Sequence, residues 1–263
     1  MKLVLSICIA AAAAAAGVVL PDWQARTGGP PVIILPAGPF ASRATGDFRR
    51  DGRSVDAPLM TDTAPAPLAI MARQVSRRDY AACVADGDCV AAVTTGADDM
   101  PQTGVSWQDA TAYAVWLSGE TGMDWRLPTD AEWQRAAAER AANTAVASSD
   151  DPAQRWLAQY AATTRQRGPA DPVLRQGGAF GANSQGVEDI AGNVWEWTDS
   201  CMISATASGT GPFSLADPYC GVRIAQGRHP AAVIDFVRDA QTGGCGMGLP
   251  PDHLGFRLVR EDG

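Results

Sequence analysis

Short apolar runs separated by long polar stretches dominate the chain, and helical periodicity surfaces in only a few places. Val32 to Leu35 and Leu68 to Met71 are brief apolar runs, which predicts short buried strands. Ser76 predicts the start of a helix: its hydroxyl can cap the first turn, Asp79 suits the positive end, and Gly87 supplies the stop. Tyr80, Cys83 and Val84 would form its buried face. Ser106 predicts a second helix carrying Trp107, Ala110, Ala114 and Leu117 along one stripe and ending before Gly119. A third begins at Thr129, with Glu132 completing a capping box and Pro128 holding the approach extended. Trp133, Ala136 and Ala137 would face inward there. Residues 41–67 show no clear periodicity and are expected to be irregular, with room for one strand. Residues 143–185 read as a polar excursion over the surface, anchored by Trp156 and Tyr160.

The stretch Gly186 to Cys201, GVEDIAGNVWEWTDSC, has its own pattern. Gly192-Asn193 is turn chemistry. After it, Trp195 and Trp197 alternate with Val194, Glu196 and Thr198, as in a half-buried strand. One reading is a hairpin whose tryptophans fill a core. The other notes that Asp189, Gly192, Val194 and Glu196 fall at i, i+3, i+5 and i+7. Two carboxylates and two main-chain carbonyls in that order could form the all-oxygen shell that calcium requires. Short strands, a few helices and long loops together argue for a single α+β domain over residues 32–263.

Composition narrows the partners. The chain has 263 residues and a formal charge of -8, which argues against nucleic acid. Lys2 followed by an alanine-rich apolar run to Leu20 reads as a secretory signal peptide over residues 1–20, so a periplasmic or secreted protein is expected. An uncleaved N-terminal anchor is the alternative and the only membrane contact expected. Residues 21–31, rich in Pro and Gly, read as a linker.

Three motifs resemble one family. GNVWEW at Gly192 to Trp197 is similar to the GN-x-W-E-W signature of the sulfatase-modifying-factor family, which includes the formylglycine-generating enzymes. RLPTDAEWQRAA, Arg126 to Ala137, is similar to that family's helix start, and LGFRLVRED, Leu254 to Asp262, to its closing strand. The resemblance implies a C-type-lectin-like fold with few short helices, short antiparallel strands and long loops. Removal of a signal peptide would leave Cys83, Cys89, Cys201, Cys220 and Cys245. In an oxidising compartment Cys83–Cys89 and Cys201–Cys220 would each close a loop, and cysteines at similar places in related sequences support that pairing. Cys245 is then left over.

The same resemblance locates the chemistry and questions it. In formylglycine-generating enzymes a C-x4-C pair before the final G-F-R binds copper and oxidises a substrate cysteine. Here only Cys245 lies between Cys220 and Gly255, and a two-thiolate copper site needs a second soft ligand. The segment Gly227 to His253 instead gathers His229, Arg228, Asp235, Arg238, Asp239 and Cys245, with Trp195 expected beside them in the pocket. A thiol with imidazoles suits copper; an ion network around a merely buried cysteine is the competing reading. Iron-dependent relatives that make sulfoxides use three histidines, and this chain has two. The FVRDA and GGC-x-x-G-x-P-P-D phrases are similar to a proteobacterial branch found beside copper nitrite reductase genes.

Two functions follow from different classes. One is an exported maturation or accessory factor that acts on or binds another exported protein or peptide. The other is a divergent copper-dependent oxidoreductase using Cys245 and His229, with Arg238 lowering the thiol pKa.

Overall fold

The computed structural model describes residues 29–141, 173–227, 230–235 and 254–261. In chain order the strands are β1 (Val32–Leu35), β2 (Gly38–Arg43), β3 (Gly46–Arg50), β4 (Arg53–Ser54), β5 (Leu59–Ala64) and β6 (Leu68–Met71). Helices α1 (Arg77–Asp86) and α2 (Trp107–Thr121) follow, then β7 (Asp124–Arg126) and α3 (Asp130–Ala137). The rest is β8 (Trp195–Ala207), β9 (Ser214–Leu215), β10 (Tyr219–Gln226), β11 (Ala231–Ile234), β12 (Leu254–Gly255) and β13 (Val259–Glu261). One sheet has the order β1-β6-β13-β7; a larger one runs β11-β10-β8-β3-β4, with β9 and β12 also on β8; β2 and β5 form a separate ribbon. This is the expected α+β architecture.

The caps act as read from the sequence. Ser76 Oγ accepts from the Asp79 amide, and Gly87 ends α1 in the left-handed region at φ 89°. Thr129 and Glu132 form the reciprocal capping box of α3, behind which Trp133, Ala136 and Ala137 are fully buried. Tyr80 and Tyr113 stack at 5.8 Å between ring centres, and both meet Phe256 edge-on, at 6.3 and 5.4 Å. That aromatic group ties both longer helices to the link between β12 and β13.

Three expectations need correction. Helix α2 does not end at Gly119 but continues to Thr121 and stops at Gly122, φ 68°. Gly119 lies on its exposed side, where a cost of about 1 kcal/mol is offset by the packing of the other face. Residues 41–67 hold the second half of β2 together with β3, β4 and β5. Much of the β2–β5 ribbon faces solvent, so no apolar alternation marks it. The turn before β8 takes positive φ at Asp189, Ala191 and Asn193 rather than at Gly192. Gly192 is needed for closeness instead: a Cβ there would lie 3.1 Å from the Phe180 ring. Among the described residues no helix is long and apolar enough to cross a membrane.

Candidate functional site

Strand β8 begins with Trp195, Glu196, Trp197 and Thr198, and all are buried. The start of the strand is therefore covered on both faces, not half-buried. Glu196 is fully inaccessible. Its Oε1 accepts from Gln74 Nε2 at 2.8 Å and from Arg257 Nη2 at 2.8 Å. Its Oε2 accepts from Trp133 Nε1 at 2.8 Å and from Arg257 Nε at 2.6 Å. The remaining Arg257 donors reach the carbonyls of Met71, Ala72 and Glu188 at 3.0–3.3 Å. Every lone pair of the carboxylate and every N–H of the guanidinium thus has a partner, the condition under which a buried ion pair is tolerated.

Asp189 is also fully buried. Its carboxylate accepts the amide N–H groups of Gly178 and Phe180, and its carbonyl accepts from Gln74 Nε2 at 3.2 Å. The Gly192 carbonyl accepts from the Val194 amide at 2.7 Å. The structure thus brings Asp189 and Glu196 together through Gln74, but with protein donors in the places a cation would need. As arranged, this oxygen set does not fit the calcium shell expected from the i, i+3, i+5, i+7 spacing. Among the described residues there is no group of three or more His, Cys, Asp or Glu side chains placed to hold a metal.

Of the residues expected to line a pocket, Trp195 and Asp235 are among those described. Trp195 packs against Gly227 so closely that a Cβ at that glycine would fall 2.0 Å from Trp195 Cδ1, and β12 runs parallel to β8 with Leu254 opposite Trp195. Asp235 receives the Trp107 amide on its carbonyl at 2.9 Å, which fastens the end of β11 to the start of α2. Trp107 Nε1 donates to the Thr198 carbonyl at 3.1 Å, and the Arg223 guanidinium stacks 3.8 Å from the Trp107 ring centre. Arg228, His229, Arg238, Asp239 and Cys245 lie outside the described residues. Arg223 and Gln74 were missed by sequence reasoning: neither sits in a motif.

Both expected disulfides, Cys83–Cys89 and Cys201–Cys220, are present. Two clefts border this framework. One, of about 750 Å³, is lined by Arg73, Gln74, Arg78, Asp79, Tyr113 and Glu188; burial, and Asp79 after it, push the Tyr113 phenol well above its ordinary pKa. The other, of about 360 Å³, holds Arg43, Met60, Asp130, Gln134, Cys201 and Pro218. Burial raises the Asp130 carboxyl above the usual range, partly opposed by side-chain hydrogen bonds from Gln226, Gln134 and Thr45.

Comparison with known proteins agrees with these motifs and this fold. Residues 19–262 match the model of the sulfatase-modifying factor enzyme 1-like domain. The formylglycine-generating enzyme of Streptomyces coelicolor is 36% identical over 112 residues, covering 39% of this chain and 33% of that protein. The formylglycine-generating enzyme of Mycobacterium tuberculosis is 30% identical over 183 residues, 61% of this chain and 57% of that protein. Hercynine oxygenase of Mycobacterium tuberculosis is 33% identical over 113 residues, 39% of this chain and 22% of that protein. The matched stretches therefore span between about a fifth and just over half of these relatives' lengths. The structure of PvdO from Pseudomonas aeruginosa superposes with a TM-score of 0.58 at 22% identity, covering 91% of this chain and 97% of that one. The chain belongs to the sulfatase-modifying factor enzyme 1-like family.

Proposed function

We propose that this protein is an exported, formylglycine-generating-enzyme-like accessory factor that binds another exported protein or peptide and assists its maturation. The observation that carries this reading is the cysteine inventory. Of six cysteines, Cys83, Cys89, Cys201 and Cys220 are held in disulfides, and Cys8 lies in the apolar N-terminal run. Only Cys245 remains for the segment where a copper-thiolate pair would be required. A thiol-based copper oxidase of the usual kind cannot be assembled from it without breaking a disulfide. The alternative, a divergent copper enzyme using Cys245 and His229, rests on the same segment's histidines.

One experiment separates the two: exported proteins from cells with and without the gene are compared by intact mass and by cofactor content. The accessory reading expects some exported protein to lose its cofactor or its yield, with its side chains chemically unaltered in both strains. A gene-dependent covalent change on a side chain of an exported protein would overturn it in favour of the oxidoreductase.

A further inference from the structure

The two disulfides have opposite surroundings. Cys83 and Cys89 are 0% and 7% exposed, sealed in the main core, with Cys83 on the buried face of α1 itself. Cys201 is half-buried and Cys220 is exposed. The second bond links β8 to β10 where their pairing is irregular. Tyr219 lies opposite Met202 and Arg223 opposite Cys201, so Cys220, Gly221 and Val222 bulge out of register between those pairs.

A fixed cation stands beside one sulfur of this bond. Arg223 Nη1 lies 3.3 Å from Cys201 Sγ. The same nitrogen donates to the Asp199 carbonyl and to its carboxylate, each at 3.1 Å, and the guanidinium is held against the Trp107 ring. The Arg223 side chain is 13% exposed, whereas that of Asp199 is 48% exposed, so water screens the acid more than the cation. A neutral disulfide gains little from a guanidinium, but a thiolate at Cys201 gains a charge-assisted hydrogen bond. Cys201 also borders the cleft of about 360 Å³ with Met60 and Pro218, and Tyr219 stands 66% exposed next to Cys220.

We propose that Cys201–Cys220 is a thiol–disulfide exchange site for a cysteine-bearing polypeptide seated along that cleft. The partner's thiolate attacks exposed Cys220 Sγ, and its electron pair forms the new S–S bond. The Cys201–Cys220 bond breaks, and its electron pair leaves on Cys201 as a thiolate held by Arg223. A second partner thiol, deprotonated, then attacks the partner's own sulfur in the mixed disulfide and releases Cys220 as a thiolate. The partner leaves with a disulfide, and this chain is left as the dithiol. Exchange is faster when the leaving thiol has a low pKa, which is the role of Arg223 as a positioning residue.

The test uses the full chain and a synthetic peptide bearing one cysteine, with reduced glutathione as a parallel probe. Reactions are quenched with N-ethylmaleimide and mapped by peptide mass spectrometry. The expected products are a peptide adduct on Cys220 and maleimide on Cys201, with Cys83–Cys89 intact; glutathione should react at the same sulfur but more slowly than the peptide. In the reduced protein the Cys201 thiol should titrate at least about one unit below the free-cysteine value of about 8.5. Arg223→Gln should move it back towards that value, and Arg223→Lys should retain part of the shift. Equal reactivity of the two disulfides, adducts chiefly on Cys201, or an ordinary Cys201 pKa in wild type would each overturn the proposal. The disulfide comparison and the wild-type pKa need no variant, so the test survives if Arg223→Gln fails to fold.

Discussion

Replacing Glu196 by Gln is the perturbation whose consequence the structure defines most closely. The amide keeps the size of the side chain but removes its charge and puts a donor where an acceptor stood. Two of the four donors converging on it come from Arg257, one from Trp133 and one from Gln74, and all three residues are buried with it. Removing one partner of a buried ion pair costs about 3–5 kcal/mol, because the other charge is left uncompensated. Orphaning the Trp133 indole N–H alone would account for about 1–3 kcal/mol, a cost that overlaps rather than adds. Against a total stability of about 5–15 kcal/mol for a domain, the variant should be marginal. Urea titration followed by tryptophan emission measures the loss, provided the slope matches wild type. Glu196→Met with Arg257→Met, which removes both charges, should recover much of it. The same titration in excess chelator should leave the wild-type midpoint in place, since Glu196 has no lone pair left for a cation. A loss below about 1 kcal/mol for Glu196→Gln, or a midpoint that falls on chelation, would refute the reasoning.

Further expectations concern single sites. Burial raises the Asp130 carboxyl above 3.8, so the native state binds its proton more tightly than the unfolded chain does. The stability linked to that proton is complete below 3.8 and is lost as pH rises through the raised native value. Asp130→Asn should flatten that part of the Tm–pH curve, and an unchanged curve counts against the assignment. Thr129→Ala removes one half of the capping box of α3 and should cost about 1 kcal/mol by chemical denaturation; a neutral result would mean that packing alone sets the helix start. Gly227→Ala forces Trp195 aside and should cost about 1–3 kcal/mol while altering native tryptophan emission. Wild-type emission and stability together would show that the close contact is not made.

Much of the framework was legible because its signals are local. Ser76, Thr129 and Gly87 work through bonds spanning a few residues, so their effect can be read from the sequence around them. The β2–β5 ribbon was illegible for the opposite reason: Gly38 pairs with Ala64 and Arg43 with Leu59, and neither strand carries an apolar face that would announce the pairing. The calcium expectation drew only on the segment from Asp189 to Glu196, which shows neither Gln74 nor Arg257. Spacing shows which oxygens could converge, but the donors that occupy them come from 122 and 61 residues away.

The three family motifs meet at one point, and that bears on what they can say about activity. Trp133 comes from RLPTDAEW, Glu196 from GNVWEW and Arg257 from LGFR, and together they form the satisfied ion pair at the centre of the fold. Phe256, from the same closing motif, completes the aromatic group with Tyr80 and Tyr113. Those residues match because the fold needs them: each fills a position whose partner is fixed by another motif. A chain can therefore retain all three and still part from the chemistry of its relatives, which the resemblance locates in the segment from Gly227 to His253. Substitutions should divide along the same line. Changes at Glu196 or Arg257 should lower stability and take any function with them, whereas Cys245→Ser should leave the denaturation midpoint near wild type and act only on copper binding or partner capture. If Cys245→Ser unfolded the protein as Glu196→Gln is expected to, the separation of scaffold from site would be wrong.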